Sequence, residues 1–200
     1  MTDLVFEEQF DGGFLSSRWK TLAATYGQPT RRQTYRSGQI IIGTDGSADD
    51  GNICTLRAER KSPVPTNEYK WWSGGFDSGG AGKFYPAFGR YELRGKLSHG
   101  QGLWPAFWMT HRNGGSTAEI DVMEYFHSAE PGETRATVWL DYNAATGYSL
   151  KRGEGTGSFE TPTLTPDWHA WAVDIEPLDA DDEVIVGDPT AETLAKVRFT

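Results

Sequence analysis

A single cysteine, Cys54, stands in the whole chain, so no intramolecular disulfide can form and the fold must rest on packing. It lies in the strand-like run Ile53-Cys54-Thr55-Leu56, which predicts a buried, inert thiol and leaves the redox compartment open. No run of apolar residues approaches the ~18 that a membrane-spanning helix needs. The opening Met1-Thr2-Asp3 leads into no apolar leader stretch, so no signal peptide is expected, and a secreted form would need its leader already removed or another export route. Positive charge is also short: 19 Lys and Arg stand against 28 Asp and Glu, a formal net charge of -9, with no Lys or Arg cluster. That balance argues against nucleic acid or another polyanion as partner. Helical periodicity is scarce as well.

What the chain does have is aromatic and glycine content: eight Trp and 24 Gly in 200 residues. Flat indole faces serve as platforms for sugar rings, although most must also fill a core. Short alternating runs punctuated by Gly, Asn, Asp and Pro recur throughout, which predicts an all-β sandwich or barrel, with residues 1–200 forming one domain. Residues Arg90 to Leu97 alternate charged and mostly apolar positions, as a half-buried antiparallel strand does. A turn over Ser98 to Gly102 and a second strand over Leu103 to Met109 follow, with Trp104 and Trp108 on one face and Pro105 demanding an edge or bulged position. The glycine-rich run Ser73 to Gly82 lacks the Lys and following helix of a phosphate cradle and reads as strand and turn. Asp167 to Ile175 predicts another strand, and Leu178 to Glu192 an acidic loop. Val197 and Phe199 alternate with Lys196 and Arg198, yet no turn or partner strand follows them, so a C-terminally truncated domain is expected.

The densest chemistry is in Glu119-Ile120-Asp121-Val122-Met123-Glu124, three carboxylates within six residues of a β-branched, apolar run. In a regular strand Glu119 and Asp121 share a face and Glu124 falls on the other. One extra residue, a β-bulge at Val122-Met123, brings Glu124 back beside them, with the two Glu Cα atoms about 13 Å apart along the strand. Two Glu side chains leaning together then approach the ~5 Å carboxyl separation of a retaining glycosidase, one as nucleophile and one as acid/base. The plain alternative is an edge strand carrying solvated acids.

Three segments carry a resemblance to a known family: Phe88 to Leu97, Gly100 to Met109, and Glu119 to Tyr125. They resemble glycoside hydrolase family 16, and within it the laminarinase-like endo-β-1,3-glucanases, with a weaker echo of the family's first strand in Leu4 to Gly12. The resemblance implies a β-jelly-roll of two curved antiparallel sheets whose concave face forms a polysaccharide cleft. It implies Glu119 as nucleophile, Glu124 as acid/base, Asp121 as the carboxylate that orients and tunes the pair, and Trp104 and Trp108 as stacking surfaces. It also favours the bulged spacing Glu-x-Asp-x-x-Glu. One departure puts the polymer in question, since Trp139 stands where the family often carries a His; His127, just beyond the active strand, offers a polar substrate contact instead, against the plain reading of a solvated loop side chain. Members often hold a structural calcium away from the cleft. Here Glu7, Glu8 and Asp11 offer oxygens at one end, and the ligand set stays unassigned.

Three acids in one site push their proton affinities apart, which suits a pair needing one ionised and one protonated member. Together with the resemblance, which implies the polymer and favours a β-1,3 linkage, the expectation is a retaining endo-acting β-glucan hydrolase needing no cofactor and acting on polysaccharide outside the cell or on a virion. It would act as a monomer or as a domain of a larger protein, with no membrane partner. The alternatives are a non-catalytic carbohydrate-binding or structural module of a cell-surface or phage-tail protein, and a galactanase of the same family.

Overall fold

The computed structural model describes residues 3–25, 33–64, 66, 69–98, 100, 102–110, 116–125, 134–143, 148–150, 158–159, 167–178 and 194–199. All regular structure among them is strand, apart from two single 3-10 turns at Ser37–Gln39 and Gly79–Ala81. The chain divides into two compact units, Met1–Phe84 and Tyr85–Thr200.

In the first unit the strands are β1 (Lys20–Thr21), β2 (Gln33–Tyr35), β3 (Ile40–Thr44), β4 (Asn52–Leu56), β5 (Ala58–Arg60), β6 (Trp71–Ser73) and β7 (Phe76–Asp77). Strands β3 and β4 form a hairpin, β1 pairs with β7, and β5 and β2 flank β6, with β2 running parallel to it. That parallel pair departs from the all-antiparallel expectation. The buried Gln39 ties the sheet's edge to the hairpin: its amide oxygen accepts from Arg57 Nε at 2.8 Å and its amide nitrogen donates to Glu59 at 3.1 Å. The glycine-rich run is strand and turn as expected, and its Gly74 is dictated by packing. A Cβ there would stand 2.5 Å from the Gln39 carbonyl oxygen, closer than any side chain tolerates.

Two expectations fail in this unit. Residues 4–10 form no strand, because Phe10 takes a left-handed backbone (φ 58°) and the chain closes there into a turn, Gly13 N–H donating to the Phe10 carbonyl. Phe6 instead meets the edge of Trp19 at 5.6 Å. Cys54 is only partly buried, although the loss of solvent, with Glu8 nearby, still pushes its thiol up to about 11.

The second unit contains β8 (Gly89–Gly95), β9 (Ala106–Thr110), β10 (Ser116–Tyr125), β11 (Thr134–Asn143), β12 (Tyr148–Leu150), β13 (Ser158–Phe159), β14 (His169–Leu178) and β15 (Leu194–Phe199). One antiparallel sheet runs β12-β11-β10-β9, with β13 also on β11, and a second runs β15-β14-β8. The two sheets bury one face of each against the other. Val122, Met123 and Tyr125 of β10 meet Trp171, Val173 and Ile175 of β14, each side chain contributing roughly 1.5–3 kcal/mol by leaving water.

Strand β8 alternates as its sequence demands, with Tyr91 and Leu93 inward and Arg90, Glu92 and Arg94 outward. The strand expected from Leu103 begins only at Ala106. Pro105 has no N–H for the ladder, and its carbonyl instead accepts from Tyr125 N–H at 3.1 Å. At the other end, Val197 and Phe199 have a partner that precedes them in sequence: β15 pairs with β14, Val197 opposite Ile175 and Phe199 opposite Val173. The acidic loop expected from Leu178 to Glu192 lies outside the described residues, except for Leu178, which closes β14.

Candidate active site

Strand β10 carries the three carboxylates, and its register settles which way they face. Asp121 pairs with Trp108 and Met123 with Phe107, so Val122 is an extra residue with no counterpart on β9. On the other side Asp121 pairs with Thr137 and Glu124 with Arg135, again one residue in excess. The interval from Glu119 to Glu124 therefore spans five residues of β10 but only four of each neighbour, Thr110 to Ala106 and Trp139 to Arg135. An even interval restores the face, as the bulged reading of the sequence requires. The two successive apolar residues at the bulge, Val122 and Met123, both enter the core, which alternation alone forbids.

Glu119, Asp121 and Glu124 thus stand on the face away from the core. Asp121 is 4% exposed, and the two glutamates are half-buried. Directly opposite residues share a face, so the partners of Asp121 are Trp108 and Thr137, and those of Glu124 are Ala106 and Arg135. The backbone of Trp139 holds the position opposite Glu119. Each carboxylate is in addition engaged in its surroundings, and none is an isolated solvated acid.

Trp104 reaches this face from outside the strand. Its indole Nε1–H donates to Glu124 Oε1 at 3.0 Å while the ring stays 49% exposed. The approach is fixed by Gly102, in a left-handed conformation (φ 84°), and by the bond from Tyr125 N–H to the carbonyl of Pro105, which lays residues 103–105 along the end of β10. Trp104 and Trp108 therefore serve one face without being two residues of one strand. His127 lies outside the described residues.

Sequence reasoning missed two features. One is Arg135, the cation opposite Glu124; its parity with Trp139 on β11 was the available signal. The other is the tie from Trp104 to Glu124, which depends on how a non-strand segment turns.

The three acids offered for calcium each accept hydrogen bonds from within the protein. Glu8 is occupied by the protein itself: Oε2 accepts from Trp19 Nε1 at 2.9 Å and from Arg18 at 3.3 Å, and Oε1 from Phe10 N–H at 2.9 Å. Glu7 accepts from Gln9, and Asp11 from Gly12 N–H. Among the described residues no three His, Cys, Asp or Glu side chains converge on a metal-sized site. Trp72 of the first unit is likewise engaged, with Lys61 Nζ 4.1 Å from its ring centre, while the adjacent Trp71 is exposed, as strand neighbours on opposite faces should be.

Known proteins share this arrangement of strands. The fold is similar to that of the laminarinase catalytic domain from Thermotoga maritima MSB8, with a TM-score of 0.64 and 22% identity, covering 86% of this chain and 69% of that one. In sequence the chain is 30% identical over 190 residues to a glucan endo-1,3-beta-glucosidase of Cryptopygus antarcticus, covering 87% of this chain and 63% of that protein. It is 26% identical to glucan endo-1,3-beta-glucosidase A1 of Niallia circulans, covering 86% of this chain and 26% of that one. The chain thus spans less than two thirds of the length of either relative. The profile of the glycosyl hydrolases family 16 matches residues 35–179, a stretch that includes β10 with its bulge and all three carboxylates, and the chain belongs to that family.

Proposed function

We propose that the chain is the catalytic portion of a retaining, endo-acting β-glucan hydrolase with a preference for β-1,3 linkages. The observation that carries this reading is the bulge at Val122, which returns Glu124 to the face of Glu119 and Asp121. Glu119, ionised, attacks the anomeric carbon while Glu124 delivers a proton to the leaving glycosidic oxygen. A water molecule then hydrolyses the glycosyl-enzyme, giving its proton to Glu124. Asp121, buried between them, disfavours the simultaneous ionisation of all three and keeps the pair in opposite states. Every bond made or broken uses a carboxyl group, water and substrate, so the reaction calls for no cofactor.

Trp104, half-exposed beside Glu124, and Trp108, opposite Asp121, are the surfaces on which glucosyl rings would stack. A polymeric substrate puts the site of action outside the cell or on a cell or virion surface. The β-1,3 preference draws support from the two glucan endo-1,3-beta-glucosidases to which the sequence is similar.

Reducing-end release from laminarin, lichenan, agarose and carrageenan, each compared with Glu119→Gln, tests the reading. Laminarin cleavage lost in the variant is the expected result. Cleavage of agarose or carrageenan alone would move the substrate to a galactan, and binding without cleavage of any polymer would leave a carbohydrate-binding module.

A further inference from the structure

We propose that Trp104 is a positioning residue for Glu124, its indole N–H selecting which carboxyl oxygen carries the catalytic proton; this rests on the hydrolase reading above. An indole N–H can only donate. Held at 3.0 Å from Oε1, it requires that oxygen to present a lone pair in either protonation state, which leaves Oε2 as the oxygen that bears the proton. A glutamate side chain otherwise turns freely about its last bond and exchanges its two oxygens. The bond removes that freedom and fixes Oε2 as the atom that protonates the leaving oxygen and later takes the proton from water.

The donor is itself held in place. Residues 103–105 are pinned to the end of β10 by the Tyr125 to Pro105 backbone bond, and the Leu103 N–H donates to the Gly100 carbonyl at 3.1 Å. The exposed ring face remains available to a sugar, so a glucosyl ring seated on Trp104 would bear on the group that orients its acid.

The contact has an electrostatic consequence. A donor to a carboxylate favours the ionised form, so Trp104 holds the proton affinity of Glu124 down. Arg135, opposite it on β11, acts in the same direction. Asp121 and Glu119 on β10 act against both, and Ala106 opposite on β9 carries no charge. Loss of the indole N–H alone should shift the Glu124 titration upward and carry the alkaline limb of activity to higher pH.

The test replaces Trp104 with benzothienylalanine, which keeps the bicyclic ring and substitutes sulfur for N–H, with Trp104→Phe as the second variant. Two substrates are compared: laminarin, whose leaving sugar needs a proton, and a 2,4-dinitrophenyl β-laminaribioside, whose leaving group needs none. The account expects kcat/KM on laminarin to fall by on the order of 10- to 100-fold. It expects kcat/KM on the dinitrophenyl substrate to fall much less than on laminarin in the benzothienylalanine variant, which keeps the stacking ring, and the Glu124 carboxyl resonance in the free protein to titrate at higher pH. Equal losses on both substrates, or an unmoved carboxyl titration, would overturn the positioning role. Hydrolysis of laminarin by the unaltered protein, abolished in Glu119→Gln, is the separate control for the hydrolase reading, and the carboxyl titration reports on the contact without requiring turnover.

Discussion

Glu119 and Glu124 are five residues apart in the chain and four steps apart in the sheet, and the one-residue difference is Val122. Were the same five-residue interval to alternate without a bulge, Glu124 would point into the core, where an unpaired carboxylate costs several kcal/mol. The bulge therefore keeps all three carboxylates out of the core while Val122 and Met123 both enter it.

Deletion of Val122 leaves Glu-x-Asp-x-Glu, a regular alternation that keeps all three carboxylates on the open face and Met123 and Tyr125 in the core. Glucan hydrolysis, read by reducing-end release, should then be retained to within about tenfold, because the acid still shares a face with the nucleophile. A thermal melt should fall modestly, because the deletion removes the buried Val122 side chain while Tyr125 stays in the core. A fall of on the order of 10²-fold to 10⁴-fold in a folded deletion variant, the share a general acid supplies, would mean that a shared face alone does not place the acid.

Gly74→Ala sets a Cβ against the Gln39 carbonyl oxygen and 3.2 Å from the Leu56 Cα, both backbone atoms that cannot turn aside. A loss of about 1–3 kcal/mol in urea unfolding is expected. Gly43→Ala, whose added Cβ meets nothing within 4 Å, is the matched control and should change stability little.

The Cys54 thiol, pushed up to about 11 from 9.0, is ionised in about one molecule in a thousand at pH 8. Alkylation by iodoacetamide at pH 8 should run at least about tenfold slower in the native protein than in urea. The folded state holds the thiol's proton more tightly than the unfolded chain does. Stability is therefore independent of this group below about pH 9 and declines as pH rises from 9 toward 11. A Cys54→Ala variant should lose that part of the alkaline decline.

Arg90 bridges two strands, donating to Asp174 at 2.9 Å and to Glu92 at 3.0 Å. Its side chain is 48% exposed, so solvent screens the pair, and Arg90→Ala should cost no more than about 1 kcal/mol. Measured in 1 M salt, the difference should shrink toward zero. A larger, salt-independent loss would show that the arginine's stem packs rather than its charge.

The bulge was legible in the sequence because three carboxylates in a buried strand are costly unless they share an open face, and only an added residue gives them one. The strands of the second unit were legible for a related reason: residues 90–97 and 167–175 bury one face and wet the other, so alternation marks them. The start of β9 was misjudged by three residues. Pro105 gave the warning, but only the tertiary bond from Tyr125 to its carbonyl shows why the ladder begins after it. The parallel pairing of β2 with β6 is a non-local choice that no short pattern encodes. The expected strand over residues 4–12 had the right residue types, but strand formation also needs a partner, and the left-handed Phe10 ends the extended run. Arg135 was readable from parity. The bond from Trp104 to Glu124 was not, since it depends on the path of an irregular segment.

The central claim, that Glu119 and Glu124 work as one retaining pair, is tested most directly by the anomeric configuration of the first product released from laminarin, followed by proton NMR before mutarotation. Double displacement through a Glu119 glycosyl-enzyme predicts the β-anomer first, with the α-anomer growing in only as solution equilibrium is reached. Initial release of the α-anomer would mean a single displacement by water and would contradict the assignment of Glu119 as nucleophile.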